Sequence, residues 1–132
     1  MAIGQGAFYL ASGLWPLFDL ESFEKVTGPK TDDWLVKTVG LLLATTGVVL
    51  LDAGFRAWTE DDLPGELVAI AGGEALVLGG VSSFYSLVGR ISKIYLADAA
   101  VELALALAWR AASPARGRSV EASARHGNRR VA

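Results

Sequence analysis

Four charged side chains stand inside stretches that are otherwise apolar: Lys37, Glu74, Asp98 and Glu102. Two carboxylates close together in a low-dielectric interior do not both ionise cheaply. Glu74 and Glu102 are expected near the middle of their segments, level with Thr45 and Thr46, and Tyr85 falls eleven residues after Glu74 on the same helical face. One reading is a proton-linked or cation site between helices. The other is a buried acid hydrogen-bonded to a hydroxyl or a backbone carbonyl. Lys37 and Asp98 are each expected close to the same end of their helices, which suggests an ion pair locking one helix to the other. The candidate intramembrane polar site is therefore Lys37, Thr45, Glu74, Tyr85, Asp98 and Glu102. It contains no catalytic residue and no metal ligand set. The chain has no cysteine, and its one histidine, His126, lies in a polar tail. No cofactor is implied, and an enzyme using these acids would have neither histidine, cysteine nor a metal cluster to help it.

These residues need a low-dielectric frame, and the run Trp34–Leu51 supplies it. It has 18 residues and one charge, Lys37. As a helix it is roughly 27 Å long, close to a hydrocarbon core of about 30 Å. Residues 1–18 carry no charge, and residues 67–88 carry only Glu74. The last apolar stretch holds Asp98 and Glu102. Two acids cost about 5–7 kcal/mol on the insertion scale, while its large aliphatics return roughly 3 kcal/mol. That helix needs a partner, protonation or a watery cavity.

The expected fold is an all-α, four-transmembrane-helix bundle with spans at about 2–18, 32–57, 63–88 and 91–110. A short interfacial helix in the first loop is expected, with Asp19 as N-cap and Gly28-Pro29 as its stop. Thr31 is expected to cap the second span, with Asp32 and Asp33 in its first turn. Thr38, Thr45 and Asp52 recur every seven residues, and such a polar stripe should face other helices. Thr59 or Asp62 should cap the third span. Gly65, Ala69 and Gly73, then Ala75 and Gly79, then Ala100, Ala104 and Ala108 are spaced by four, which allows close helix packing within the chain or in a homo-oligomer. Trp15, Trp58 and Trp109 mark interfaces. Residues 1–110 form one domain. Residues 111–132, with five arginines and one glutamate, read as a disordered basic tail.

Basic residues flanking spans stay cytoplasmic. The N- and C-termini are thus expected inside the cell (inner/cytoplasmic) membrane of a multi-pass protein. The lipid bilayer is the expected partner. The formal net charge of -2 gives no pull toward nucleic acid. Any small-molecule ligand is left open. A cleaved signal peptide would need positive residues ahead of residues 1–18, and none is present.

The segment from Trp15-Pro16-Leu17 through Ser22–Gly40 resembles a group of small bacterial membrane proteins of unknown function predicted to cross the membrane four times. Their shared core is similar to W-P-L followed by S-F-E-x-V-T-G-P-K-T-D-x-W-L-V-K-T-V-G, with Asp33 at the variable place before Trp34. Residues 94–102 also look similar. The resemblance covers roughly residues 7–110. It implies the four-span architecture and lends no catalytic residue, ligand or partner. Two functions follow. One is a non-enzymatic four-helix bundle whose intramembrane charges are structurally paired. The other is a proton-linked small-solute transporter or channel, as an oligomer, using Glu74 and Glu102.

Overall fold

Glycines recur every seven residues on two segments, at Gly6 and Gly13 and at Gly40, Gly47 and Gly54. In the computed structural model, which describes residues 1–60 and 63–112, these rows face each other. The elements are α1 (Ala2–Phe18), α2 (Leu20–Thr27), α3 (Asp33–Glu60), α4 (Gly65–Leu87) and α5 (Tyr95–Ala112), and no strand occurs among the described residues. Helices α1 and α3 run antiparallel with Gly13 against Gly40, Gly6 against Gly47, and Ile3 against Gly54. A Cβ on Gly47 would lie 2.6 Å from Leu10 N, and one on Gly40 2.6 Å from Gly13 O. Only glycine permits so close a backbone approach.

The second pair is α4 on α5. Its α4 face is Ala71, Ala75, Gly79, Ser82 and Ser86, all buried. A Cβ on Gly79 would meet Glu102 Cβ at 3.2 Å, and one on Gly72 would meet Trp109 Cβ at 3.3 Å. The buried side of α5 is Ala99, Glu102 and Trp109. The expected α5 face differs: Ala100 and Ala104 are exposed, because the turn that meets α4 carries the larger side chains. On α4 the Ala75–Gly79 pair packs, while Gly65, Ala69 and Gly73 stay outside.

The connections explain the element limits. Asp19 Oδ1 accepts a hydrogen bond from Ser22 N at 2.9 Å and caps α2. The helix stops at Gly28, whose φ of +89° favours glycine. At the start of α3, Asp32 takes the capping place expected of Thr31, since its carbonyl accepts from Leu35 N and Val36 N. Pro64 precedes α4, and its carbonyl accepts from Leu67 N and Val68 N. Thr59 belongs to α3, and Asp62 lies outside the described residues, as do residues 113–132 of the expected tail. Helix α5 begins at Tyr95, later than expected. The chain first turns through Gly89 (φ +74°), with Arg90 N and Ile91 N both bonded to Tyr85 O.

Two helices, over Asp33–Ala57 and Gly65–Leu87, are long and apolar enough to cross a membrane, with mean hydropathy 1.9 and 1.7. Only 22% of each span is buried inside the molecule. The buried hydrophobic set is mostly alanine, while Leu41, Leu42, Val48, Ile70, Leu76 and Val77 point outward. Most large apolar side chains are thus on the outside and alanine dominates within, with Tyr9, Leu50 and Trp109 the large exceptions.

Candidate functional site

The two helix pairs meet along a seam joined by hydrogen bonds. Gln5 on α1 is fully buried. Its Nε2 donates to Ala71 O on α4 at 2.9 Å, and its Oε1 accepts from Trp109 Nε1 on α5 at 2.5 Å. One turn along α1, Tyr9 donates its hydroxyl to Glu102 Oε2 at 2.9 Å. Both side chains are buried, with Glu102 only 2% exposed. On the α3 side, Thr46 Oγ1 reaches Glu74 Oε1 at 3.5 Å, at the limit of a hydrogen bond. Among the described residues, no buried side-chain nitrogen or oxygen lacks a partner. That satisfaction is what makes polar side chains tolerable at such depth.

Toward the end of the bundle that carries α2, the same seam holds a cavity of about 590 Å³. Asp98 and Glu102 lie one turn apart on α5 and share its wall. Ser82 Oγ donates to Asp98 Oδ2 at 3.0 Å. Aliphatic side chains form much of the rest, among them Val39, Leu43 and Leu78. Trp15, Phe23 and Tyr95 complete the wall near α2. The Trp15 indole is fixed there: its Nε1 donates to Ser22 Oγ at 2.6 Å, and it meets the Phe23 ring edge-on at 5.6 Å. The volume suits a small organic molecule. The site thus offers two carboxylates, the hydroxyls of Tyr9, Ser12, Thr27, Ser82 and Tyr95, the Lys30 ammonium and an aromatic rim in a largely apolar chamber. It can hold a cation with an apolar body.

The structure separates the residues grouped from the sequence. Asp98 and Glu102 come together. Glu74 is half-buried, has Thr46 as its hydrogen-bond partner and lies outside the cavity wall, yet it is close enough to Glu102 for the two charges to interact. Thr45 is exposed and donates to Leu41 O of its own helix at 2.8 Å. Tyr85 is 43% exposed and packs edge-on against Phe84, away from the cavity. The Lys37–Asp98 ion pair does not form. Lys37 is exposed, Asp98 is held by Ser82, and the ion pairs among the described residues are Lys25–Glu21 and Arg56–Asp52. The reason is angular: Lys37 lies about 100° around α3 from Val36, which lines the cavity with Val39 and Leu43, and its side chain is exposed. The stripe Thr38, Thr45 and Asp52 is likewise exposed, because the glycine row occupies the packing face of α3.

Sequence reasoning missed Gln5, Tyr9 and Ser82, and placed Trp109 at an interface although it is buried. The available signal was Gln5 and Tyr9 at i, i+4 on a charge-free helix, on a face adjacent to that of Gly6 and Gly13. No family model, no curated protein and no solved structure matches the chain.

Proposed function

We propose that this chain is a small, non-enzymatic integral membrane protein that binds a small organic cation in the α2-end cavity and carries it in exchange for protons, with Asp98 and Glu102 as the counter-charges. In this reading α1, α3, α4 and α5 cross the inner (cytoplasmic) membrane, α2 lies at the outer interface, and both termini are cytoplasmic. The membrane setting is supported by the inverted distribution of side chains, large apolar groups outside and alanine within, and by the two helices long enough to span. The resemblance to small bacterial membrane proteins supports the same architecture and lends no activity. The observation that carries the functional reading is the cavity itself, with two carboxylates on one wall and, among the described residues, no ion pair to either. Buried acids without an ion-pair partner in a membrane domain mark ion or proton pathways. The exposed face of Gly65, Ala69 and Gly73 lines a separate outer groove of about 570 Å³. It supports a homo-oligomer as the working form.

The test is calorimetric titration of the detergent-solubilised protein with benzyltrimethylammonium, then proton release from proteoliposomes on addition of the same ion. Binding should weaken at least about tenfold in D98N and in E102Q, as expected for loss of a desolvated charge partner. Equal binding by both variants removes the cation reading.

One observation favours a second reading. Glu102 is almost fully enclosed and Tyr9 satisfies it. On that reading the acids serve only to lock the helix pairs, and E102Q changes stability without changing any binding.

A further inference from the structure

The cavity already has a cation at its rim. Lys30, in the loop between α2 and α3, places Nζ 5.1 Å from the centroid of the Tyr95 ring and 6.0 Å from that of Phe23. Both distances are within the range of a cation–π contact. The same nitrogen donates to Thr27 O at 3.1 Å. Lys30, Phe23, Thr27 and Tyr95 all line the chamber that Asp98 and Glu102 share. Lys30 has no carboxylate partner among the ion pairs of the described residues. Its charge is met by ring faces and one carbonyl.

The main chain around this side chain is fastened. Lys30 N donates to Glu24 Oε1 at 2.9 Å, and the turn is set by Gly28 at φ +89° followed by Pro29. The loop therefore holds its place while the four-carbon stem stays free to swing.

We propose that the Lys30 ammonium is a built-in competitor for this cavity, seated where the head of an organic ammonium ion would sit and displaced when such an ion enters. The inference rests on the cation reading of the cavity and names the ligand class. Hard metal ions take six or more oxygen ligands, largely carboxylates, and among the described residues no cluster of three acidic, histidine or cysteine side chains that could hold one occurs. An ammonium head matches the Tyr95 and Phe23 rings that now hold Lys30, and an apolar body matches Val39, Leu43 and Leu78. Ring faces hold a lysine ammonium weakly enough for exchange.

The experiment uses the full-length protein in detergent and benzyltrimethylammonium as the probe. K30M keeps the apolar stem and removes the charge. It should bind the probe about tenfold more tightly than the wild type. In parallel, amine acylation read by mass spectrometry should show Lys30 of the wild type becoming more reactive at saturating probe. Lys25, paired with Glu21 on the exposed side of α2, should not change. If the wild type binds the probe while K30M binds no better and Lys30 reactivity stays constant, the competitor role is overturned and the cavity reading stands. If neither protein binds the probe, both fall.

Discussion

Gln5 and Trp109 meet across almost the whole described chain, the Trp109 indole N–H donating to Gln5 Oε1 at 2.5 Å. The Gln5 amide spends its other end on Ala71 O. One side chain thus binds α1 to both α4 and α5, at the end of the seam opposite the cavity. The clamp adds to the apolar cluster of Ala2, Leu50, Ala71 and Trp109 that also joins the two helix pairs.

The clamp predicts a non-additive pair. Q5L removes the two hydrogen bonds that Gln5 makes, to Ala71 O and from Trp109 Nε1, which costs about 1–3 kcal/mol. W109F removes one partner and leaves a gap beside Gly72. Thermal unfolding in detergent should show each single variant destabilised and the double variant well short of their sum.

The glycine row predicts a position-specific steric effect. In G47A the new methyl meets Leu10 N and Gly6 O at 2.6 and 2.8 Å. Relief requires α1 and α3 to separate, a loss of about 3 kcal/mol or more. At Gly73 a methyl enters open space, with no neighbouring atom within 4 Å. G73A should leave the monomer's stability unchanged or raise it by up to about 1 kcal/mol. A fall in dimer content in G73A, read by cross-linking, would place a second copy on that face.

Tyr9 and Glu102 predict a hydroxyl effect distinct from a charge effect. Y9F removes the donor to a buried carboxylate and should destabilise by about 1–3 kcal/mol. E102Q retains a carbonyl acceptor for the Tyr9 hydroxyl, so it should lose less. Chemical denaturation of the two variants in one detergent compares them directly.

Lys37 is predicted to be silent. It is exposed and outside the cavity wall, so K37M should stay within about 0.5 kcal/mol of wild type. The exchange of Lys37→Asp with Asp98→Lys should fold no better than Asp98→Lys alone. Rescue by the double change would restore the ion pair that the structure lacks.

The absence of cysteine from the chain makes topology directly readable. Thr31→Cys, at the α2 end, should react with a membrane-impermeant maleimide on intact cells. Ser119→Cys, in the basic tail, should react only after permeabilisation. The reverse pattern would invert the proposed orientation and place the cavity mouth in the cytoplasm.

Residue order alone was enough to set the helical segments. Apolar runs of fixed length, Asp19 before α2 and Gly28-Pro29 after it depend only on neighbours a few positions away, and backbone hydrogen bonding does the rest. Of the four charges expected to need company, Glu74, Asp98 and Glu102 have hydrogen-bond partners, whereas Lys37 is exposed. Which face of each helix meets another emerged only on packing. The heptad of Thr38, Thr45 and Asp52 and the heptad of Gly40, Gly47 and Gly54 are equally regular on α3, and the choice between them is set by how near another backbone can come. Once α1 settled on the glycines, Lys37 was turned away from α5, Thr46 rather than Thr45 met Glu74, and Gln5 and Tyr9 reached the second pair. Asp98 and Glu102 stand one turn apart on α5, so their proximity was legible in the sequence; the cavity that they line follows from the seam between the two pairs, which no single helix contains.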